Sequence, residues 1–174
     1  MSSKNKQPDL SVKIGNLTLK NPVTVASGTF GYGAEFMPYF DVGKIGGVMV
    51  KGINLEPREG HCQPRLFETA SGMLNCIGLQ NVGVKAFIKD KLPFFQETDT
   101  ACIVNVNGSS MEEYISVSEM LNDEDGVDAL EINVSCPNVK EGGITFGIDP
   151  VMTEKVTAEI RKRTTLPLIV KLSP

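Results

Sequence analysis

Near the start of the chain, Ser11-Val-Lys-Ile14 and Leu17-Thr-Leu-Lys20 alternate apolar and polar residues on either side of Gly15-Asn16. Alternation sends one kind of side chain to each face of a strand, and a Gly-Asn pair accepts the backbone angles of a two-residue turn, so the pattern predicts a tight hairpin. Beyond it, short apolar runs and helical patterns take turns. Strands are predicted over 23–26, 47–51, 101–106, 129–134 and 168–172. Between the third and fourth, Ser109-Ser-Met-Glu112 reads as a capping box, and Met111, Tyr114, Ile115, Ser118 and Leu121 fall on one helical face. Between the fourth and fifth, Asp149 and Pro150 suit the N-cap and first helical positions, with Met152, Val156 and Ile160 behind them.

Strand and helix in strict succession imply a parallel sheet with helical crossovers, either doubly wound or closed into a (β/α)₈ barrel. A dinucleotide fingerprint is approached by Gly31-Tyr-Gly33-Ala-Glu-Phe36, but its last position is wrong and no strand leads into it. Polar residues gather instead where strands end: Ser27-Gly28, Lys51-Gly52, Asn105 to Asn107, Asn133 to Cys136, and Lys171. In a TIM barrel those ends converge on one mouth, where such folds keep their chemistry. The expected fold class is therefore α/β, a (β/α)₈ TIM barrel, with the amino-terminal hairpin and about five of the eight βα units present. A whole barrel typically takes about 250 residues. Residues 1–174 are thus expected to be the amino-terminal part of a single domain, with the remainder absent and needed to cover the open edges.

Composition narrows the function classes. With 41% hydrophobic and 22% charged residues the chain is ordinary globular material, and a net charge of −4 argues against nucleic acid or an acidic membrane as partner. No apolar run approaches the roughly 20 residues of a spanning helix. The first eight residues contain no apolar signal core, so a cytoplasmic location is expected. The cysteines Cys62, Cys76, Cys102 and Cys136 are far apart and His61 is the single histidine, so no metal site and no disulfide is expected. Cys102, inside an apolar run, reads as a small buried hydrophobe, and His61 as a surface loop residue.

Candidate chemistry concentrates in Ala129-Leu-Glu-Ile-Asn133-Val-Ser135-Cys136-Pro137-Asn138. Glu131 and Asn133 share one face of the strand while Ile132 and Val134 face a core, and Pro137 ends the ladder. A thiol among carboxamides just past a strand end offers a base beside a small polar ring. A second candidate is the long excursion 55–81, whose last part, Gly72 to Asn81, mixes amides with glycines that permit close backbone approach. Each assignment has a plainer rival. Lys51 and Lys171 can be strand-end lysines reaching water, Asn105 and Asn133 can be backbone caps, Ser27-Gly28 a turn, and Phe94-Phe95 simple packing. A thiol nucleophile for acyl transfer is less favoured, since His61 would have to reach Cys136.

Taken together, Lys20-Asn-Pro with Ala26-Ser-Gly28, Val50-Lys-Gly52, Pro64-Arg65, Asn75-Cys-Ile-Gly-Leu-Gln-Asn81, Asn105-Val-Asn-Gly108, Asn133-Val-Ser-Cys-Pro-Asn-Val139 and Val170-Lys-Leu-Ser173 resemble the dihydroorotate dehydrogenases. Ile77-Gly-Leu-Gln-Asn81 with Asn138-Val-Lys-Glu-Gly-Gly143 is similar to class 1B more than to the fumarate-using class 1A, and a cysteine where class 2 carries serine excludes class 2. The resemblance runs from Leu10 onward. It implies a TIM barrel with FMN across its mouth, oxidising dihydroorotate to orotate in de novo pyrimidine biosynthesis. By the same resemblance Ser27, Lys51, Gly52, Asn105, Asn133 and Lys171 contact FMN. Lys51, Asn75, Cys76, Ile77, Gly78, Leu79, Asn133 and Asn138 hold dihydroorotate, and Cys136 is the base. It also implies a partner subunit carrying FAD and a 2Fe-2S cluster that passes electrons to NAD, in a hetero-tetramer built on a homodimer of catalytic subunits. Two alternatives stay open: pyrimidine reduction as in dihydropyrimidine dehydrogenase, where the cysteine acts as acid, and an inactive half-barrel serving as a fragment or assembly component.

Overall fold

A computed structural model of the chain describes residues 8–135 and 143–173. The chain opens with the antiparallel hairpin β1 (Val12–Ile14) and β2 (Leu17–Leu19), which turns at Gly15 with φ 59°. Leu19 is buried, and the Lys20 amine bonds the carbonyls of Gly43 and Asp99 and lies 3.0 Å from the Asp99 carboxylate. These contacts pin the hairpin beneath the amino-terminal ends of the strands that follow.

Next come β3 (Thr24–Val25), β4 (Gly47–Met49), the exposed antiparallel ribbon β5 (Leu66–Thr69) and β6 (Gly72–Asn75), and helices α1 (Gly83–Asp90) and α2 (Pro93–Gln96). Then follow β7 (Ala101–Val106), α3 (Met111–Asn122), β8 (Ala129–Asn133), α4 (Ile144–Gly147), α5 (Pro150–Arg161) and β9 (Leu168–Lys171). One parallel sheet runs β3-β4-β7-β8-β9. All five predicted barrel strands are present, though β3 and β4 are shorter than expected.

Side chains at alternate positions serve two different layers. Cys102, Val104 and Val106 of β7, with Leu130 and Ile132 of β8, bury against Phe87 of α1, Tyr114, Val117 and Leu121 of α3, and Val156 and Ile160 of α5. Each fully buried side chain of this size contributes roughly 1.5–3 kcal/mol of hydrophobic stabilisation. The opposite face of the same strands carries Ile103, Asn105, Ala129, Glu131 and Asn133, also buried. A sheet with helices on one side and a second buried side is the wall of a barrel.

Curvature follows from one contact. Flat, the edge strands β3 and β9 would stand ~19 Å apart across four inter-strand steps of about 4.8 Å. Yet Lys171 Nζ at the end of β9 lies 2.8 Å from Oγ of Ser27, two residues past β3. No lysine side chain spans a flat sheet of that width, so the sheet curls into an arc. Among the described strands, β3 pairs only with β4 and β9 only with β8, leaving the arc open. No helix among the described residues is long and apolar enough to cross a membrane.

Two local readings shift. The α3 N-cap is Ser110, accepting from Glu113 N, while Glu113 Oε2 accepts from Ser109 N; the reciprocal pair thus stands one residue later than Ser109 to Glu112 predicts. Part of the segment expected as a long loop is the β5–β6 ribbon, whose eight residues are all exposed. Asp149 caps α5 as predicted, accepting from Val151 N and Met152 N.

Candidate active site

Parallel register sets the mouth of the arc. It places Asn105 beside Glu131, and Asn133 beside Lys171. The amide Nδ2 of Asn105 donates to Glu131 Oε1. Asn133 Nδ2 donates to Asn105 Oδ1 at 3.2 Å and to Asn107 Oδ1 at 2.9 Å. Asn133 Oδ1 accepts from the backbone N and the hydroxyl of Ser135, at 3.2 and 2.9 Å. Asn105, Asn107, Glu131 and Asn133 are all buried, Asn105 to 1% exposure. Buried amides need partners, and among the described residues no buried side-chain nitrogen or oxygen lacks one.

Tyr114 braces the same strand end. Its hydroxyl donates to Asn133 O at 2.6 Å and accepts from Gly143 N at 3.3 Å, tying the backbone on one side of residues 136–142 to the backbone on the other. Cys136 and Asn138, the expected base and one expected substrate contact, lie outside the described residues.

Gly52 sits against the relay. A Cβ there would overlap Asn107 Nδ2 and stand 2.7 Å from Asn105 Oδ1. Both amides are buried and bonded, so neither can swing away cheaply. Gly52→Ala is therefore expected to destabilise the fold by ~1–3 kcal/mol through overpacking, seen as a melting temperature several degrees lower; an unchanged melting point would show the relay to be looser than this geometry.

Two lysines flank these amides. Lys171 bridges to Ser27 as described. Lys51, just past β4, is half-buried, and burial first and the nearby Arg65 cation second hold its amine below the usual lysine range. It lines a cavity of about 540 Å³ with Glu35, Arg58, Gln80 and Asn81. Arg65 donates to the carbonyls of Glu59 at 3.1 Å and Ile77 at 3.5 Å, and its own carbonyl accepts from Cys76 N. It thereby links the segment Asn75 to Leu79 to the surroundings of Lys51.

That segment is shaped by backbone. Gly78 and Leu79 have φ of 76° and 58°. The left-handed region costs a non-glycine residue roughly 1–2 kcal/mol. The Asn81 amide, donating to Leu79 O at 2.8 Å and to Asn54 Oδ1 at 3.0 Å, holds the turn in place. Asn75 and Cys76 are exposed at the base of the ribbon. His61 is exposed too, its Nδ1 3.0 Å from Cys76 O. Cys102 is fully buried, and burial first and Asp128 second push its thiol well up, so it offers no base. Phe95 is buried and meets Phe94 edge-on at 5.1 Å, as packing.

The structure thus brings Gly52, Asn105 and Asn133 into one cluster, Ser27 and Lys171 into another contact at the same strand ends, and links Lys51 to residues 75–79 through Arg65. Glu131, Asn107, Ser135, Arg65 and Tyr114 join these clusters without having been singled out as binding residues from sequence. Strand alternation had placed Glu131 on the face of Asn133, which was a usable signal; nothing local marks Tyr114 as more than core.

Fold and mouth define a piece of a TIM barrel whose polar groups gather at the carboxyl ends of its strands. The chain belongs to the dihydroorotate dehydrogenase family, whose profile matches residues 9–174. It is 54% identical over 168 residues to the protein of Geotalea daltonii named dihydroorotate dehydrogenase B (NAD(+)), catalytic subunit, covering 97% of this chain and 55% of that protein. A protein of the same name from Desulforamulus reducens is 53% identical over 166 residues, covering 95% of this chain and 55% of its own length. The chain therefore spans about half the length of the curated relatives it matches. A crystal structure of dihydroorotate dehydrogenase from Eimeria tenella in complex with ferulenol aligns with a TM-score of 0.75 at 22% identity, over 99% of this chain and 54% of that one, and shares the TIM-barrel fold.

Proposed function

We propose that this chain is the amino-terminal part of the catalytic subunit of a class 1B, NAD-linked dihydroorotate dehydrogenase, a cytoplasmic enzyme that oxidises dihydroorotate to orotate in pyrimidine biosynthesis. The observation that carries the reading is the pairing of a half-buried lysine, Lys51, with a relay of neutral buried amides at one barrel mouth. A cation suits a carboxylate, and amides, which offer both donor and acceptor, suit the alternating N–H and C=O rim of a pyrimidine.

The residues also fit FMN. Lys171, bonded to Ser27, stands at the same strand ends as the amides, a cation suited to a flavin's electron-rich ring edge. In this reading Ser27, Lys51, Gly52, Asn105, Asn133 and Lys171 hold the flavin, which supplies a two-electron acceptor when bound. Lys51 receives the substrate carboxylate, with Arg65 adding positive potential. Asn75 through Leu79, Asn133 and Asn138 hold the ring. Cys136 as thiolate takes the proton from C5, while the C6 hydrogen leaves with its electron pair. A partner subunit holding FAD and a 2Fe-2S cluster would carry the electrons on to NAD, with two catalytic subunits paired within a hetero-tetramer.

Turnover by the full-length enzyme separates this reading from pyrimidine reduction. Dihydroorotate is expected to be oxidised and uracil left untouched, because only the former carries a carboxylate for Lys51. Faster reduction of uracil than oxidation of dihydroorotate would replace the proposal.

A further inference from the structure

The hydrogen-bond relay at the mouth has a direction. A backbone N–H only donates, and a carboxamide accepts through its oxygen and donates through its nitrogen. At one end Glu131 accepts from Asn105; at the other the Ser135 N–H donates to Asn133 Oδ1. Between these ends the amides have one consistent arrangement. Asn105 turns its nitrogen to Glu131 and its oxygen to Asn133, and Asn133 turns its nitrogen to Asn105 and Asn107 and its oxygen to Ser135. Flipping Asn105 would set its oxygen against a carboxylate and its nitrogen against another nitrogen. Buried mismatches of that kind cost the full desolvation of each orphaned group.

Resting on the function proposed above, we propose that Glu131 is a positioning residue: it fixes which atoms of Asn105 and Asn133 face the ligands, without touching them itself. The consequence is chemical. Both hydrogens of Asn133 Nδ2 are committed inside the relay. Asn105 keeps one amide hydrogen beyond the one given to Glu131, and Asn107, bonded through its oxygen, has its Nδ2 packed against Gly52. The relay therefore fixes the polarity of the amides that stand at the strand ends.

A polarity swap in the full-length holoenzyme tests this. Four proteins are compared: wild type, Glu131→Gln, Asn105→Asp, and the double variant Asn105→Asp/Glu131→Gln. The readouts are orotate dissociation constant and flavin reduction potential, which simple loss of packing does not restore together. In Glu131→Gln the new amide still accepts through its Oε1, so orotate affinity is expected within about threefold of wild type. In Asn105→Asp the new carboxylate faces Glu131 acceptor to acceptor, and affinity is expected to fall tenfold or more, with a shifted potential. In the double variant the introduced glutamine donates to the introduced aspartate, which still accepts from Asn133, so affinity and potential are expected to recover in part, short of wild type by the amide hydrogen that aspartate lacks. A double variant as impaired as Asn105→Asp, or Glu131→Gln as impaired as Asn105→Asp, would overturn the positioning role. Should the wild type bind no orotate, the parent reading fails instead, and the melting temperatures decide the relay: recovery in the double variant supports it, and no recovery overturns it.

Discussion

Cys136→Ala in the full-length enzyme is expected to lower turnover by about 10²- to 10⁴-fold, the usual worth of a positioned general base, while the protein keeps its flavin and its yellow colour. An ordinary thiol has a pKa of about 8.5 and is mostly protonated at neutral pH, so the surroundings must hold it in place or lower that value. The described residues on either side supply fixed points. Asn133 and Ser135 are locked to each other ahead of residue 136, and Tyr114 joins Asn133 to Gly143. Cys136→Ser keeps the position but brings a weaker acid, so residual activity should climb as pH rises. Steady-state rates across pH, with flavin absorbance as the control, check both. Unchanged turnover in the alanine variant would remove Cys136 from the chemistry.

Lys51→Met is expected to weaken orotate binding roughly 10- to 100-fold, the range of a lost hydrogen bond to a charged group, and at the same time to raise the melting temperature of the ligand-free protein. The opposite signs share one cause. Burial and Arg65 hold the folded-state pKa of Lys51 below its unfolded value, so the unfolded chain binds more protons. The ammonium therefore costs stability below the folded pKa, and stability recovers as pH rises from the folded toward the unfolded value. Methionine removes that cost at every pH. In the wild type, affinity for orotate should decline with rising pH earlier than an ordinary lysine would give. Titration calorimetry beside thermal melts measures both, and a methionine variant that binds orotate as tightly as wild type would separate Lys51 from the carboxylate.

Legibility from sequence followed the physical source of each signal. The hairpin at Gly15-Asn16 and the cap at Asp149-Pro150 were readable because turn and cap chemistry is local. The central strands β7 and β8 were readable because a wall buried on both faces gives largely apolar runs. The β5–β6 ribbon was not, since Leu66, Phe67, Met73 and Leu74 are exposed and burial imposes no pattern on it. Helices α1 and α2 went unread beside that excursion, although Val84 and Phe87 do face the core. At the mouth, the strand-end positions of Asn105, Asn133, Lys51 and Lys171 were visible as a shared register. The company they keep was not. The contacts of Glu131 with Asn105, Tyr114 with Asn133, and Lys171 with Ser27 join residues 26, 19 and 144 positions apart, and only the curled sheet brings such pairs together.

On the proposed function, dihydroorotate is oxidised by the full-length enzyme at a mouth to which these strand ends contribute. Anaerobic mixing of the full-length flavoprotein with dihydroorotate, in the absence of NAD, tests it most directly. The flavin band is expected to bleach as one equivalent of orotate forms. A flavin that stays oxidised with dihydroorotate, yet bleaches with a chemical reductant, would contradict the account.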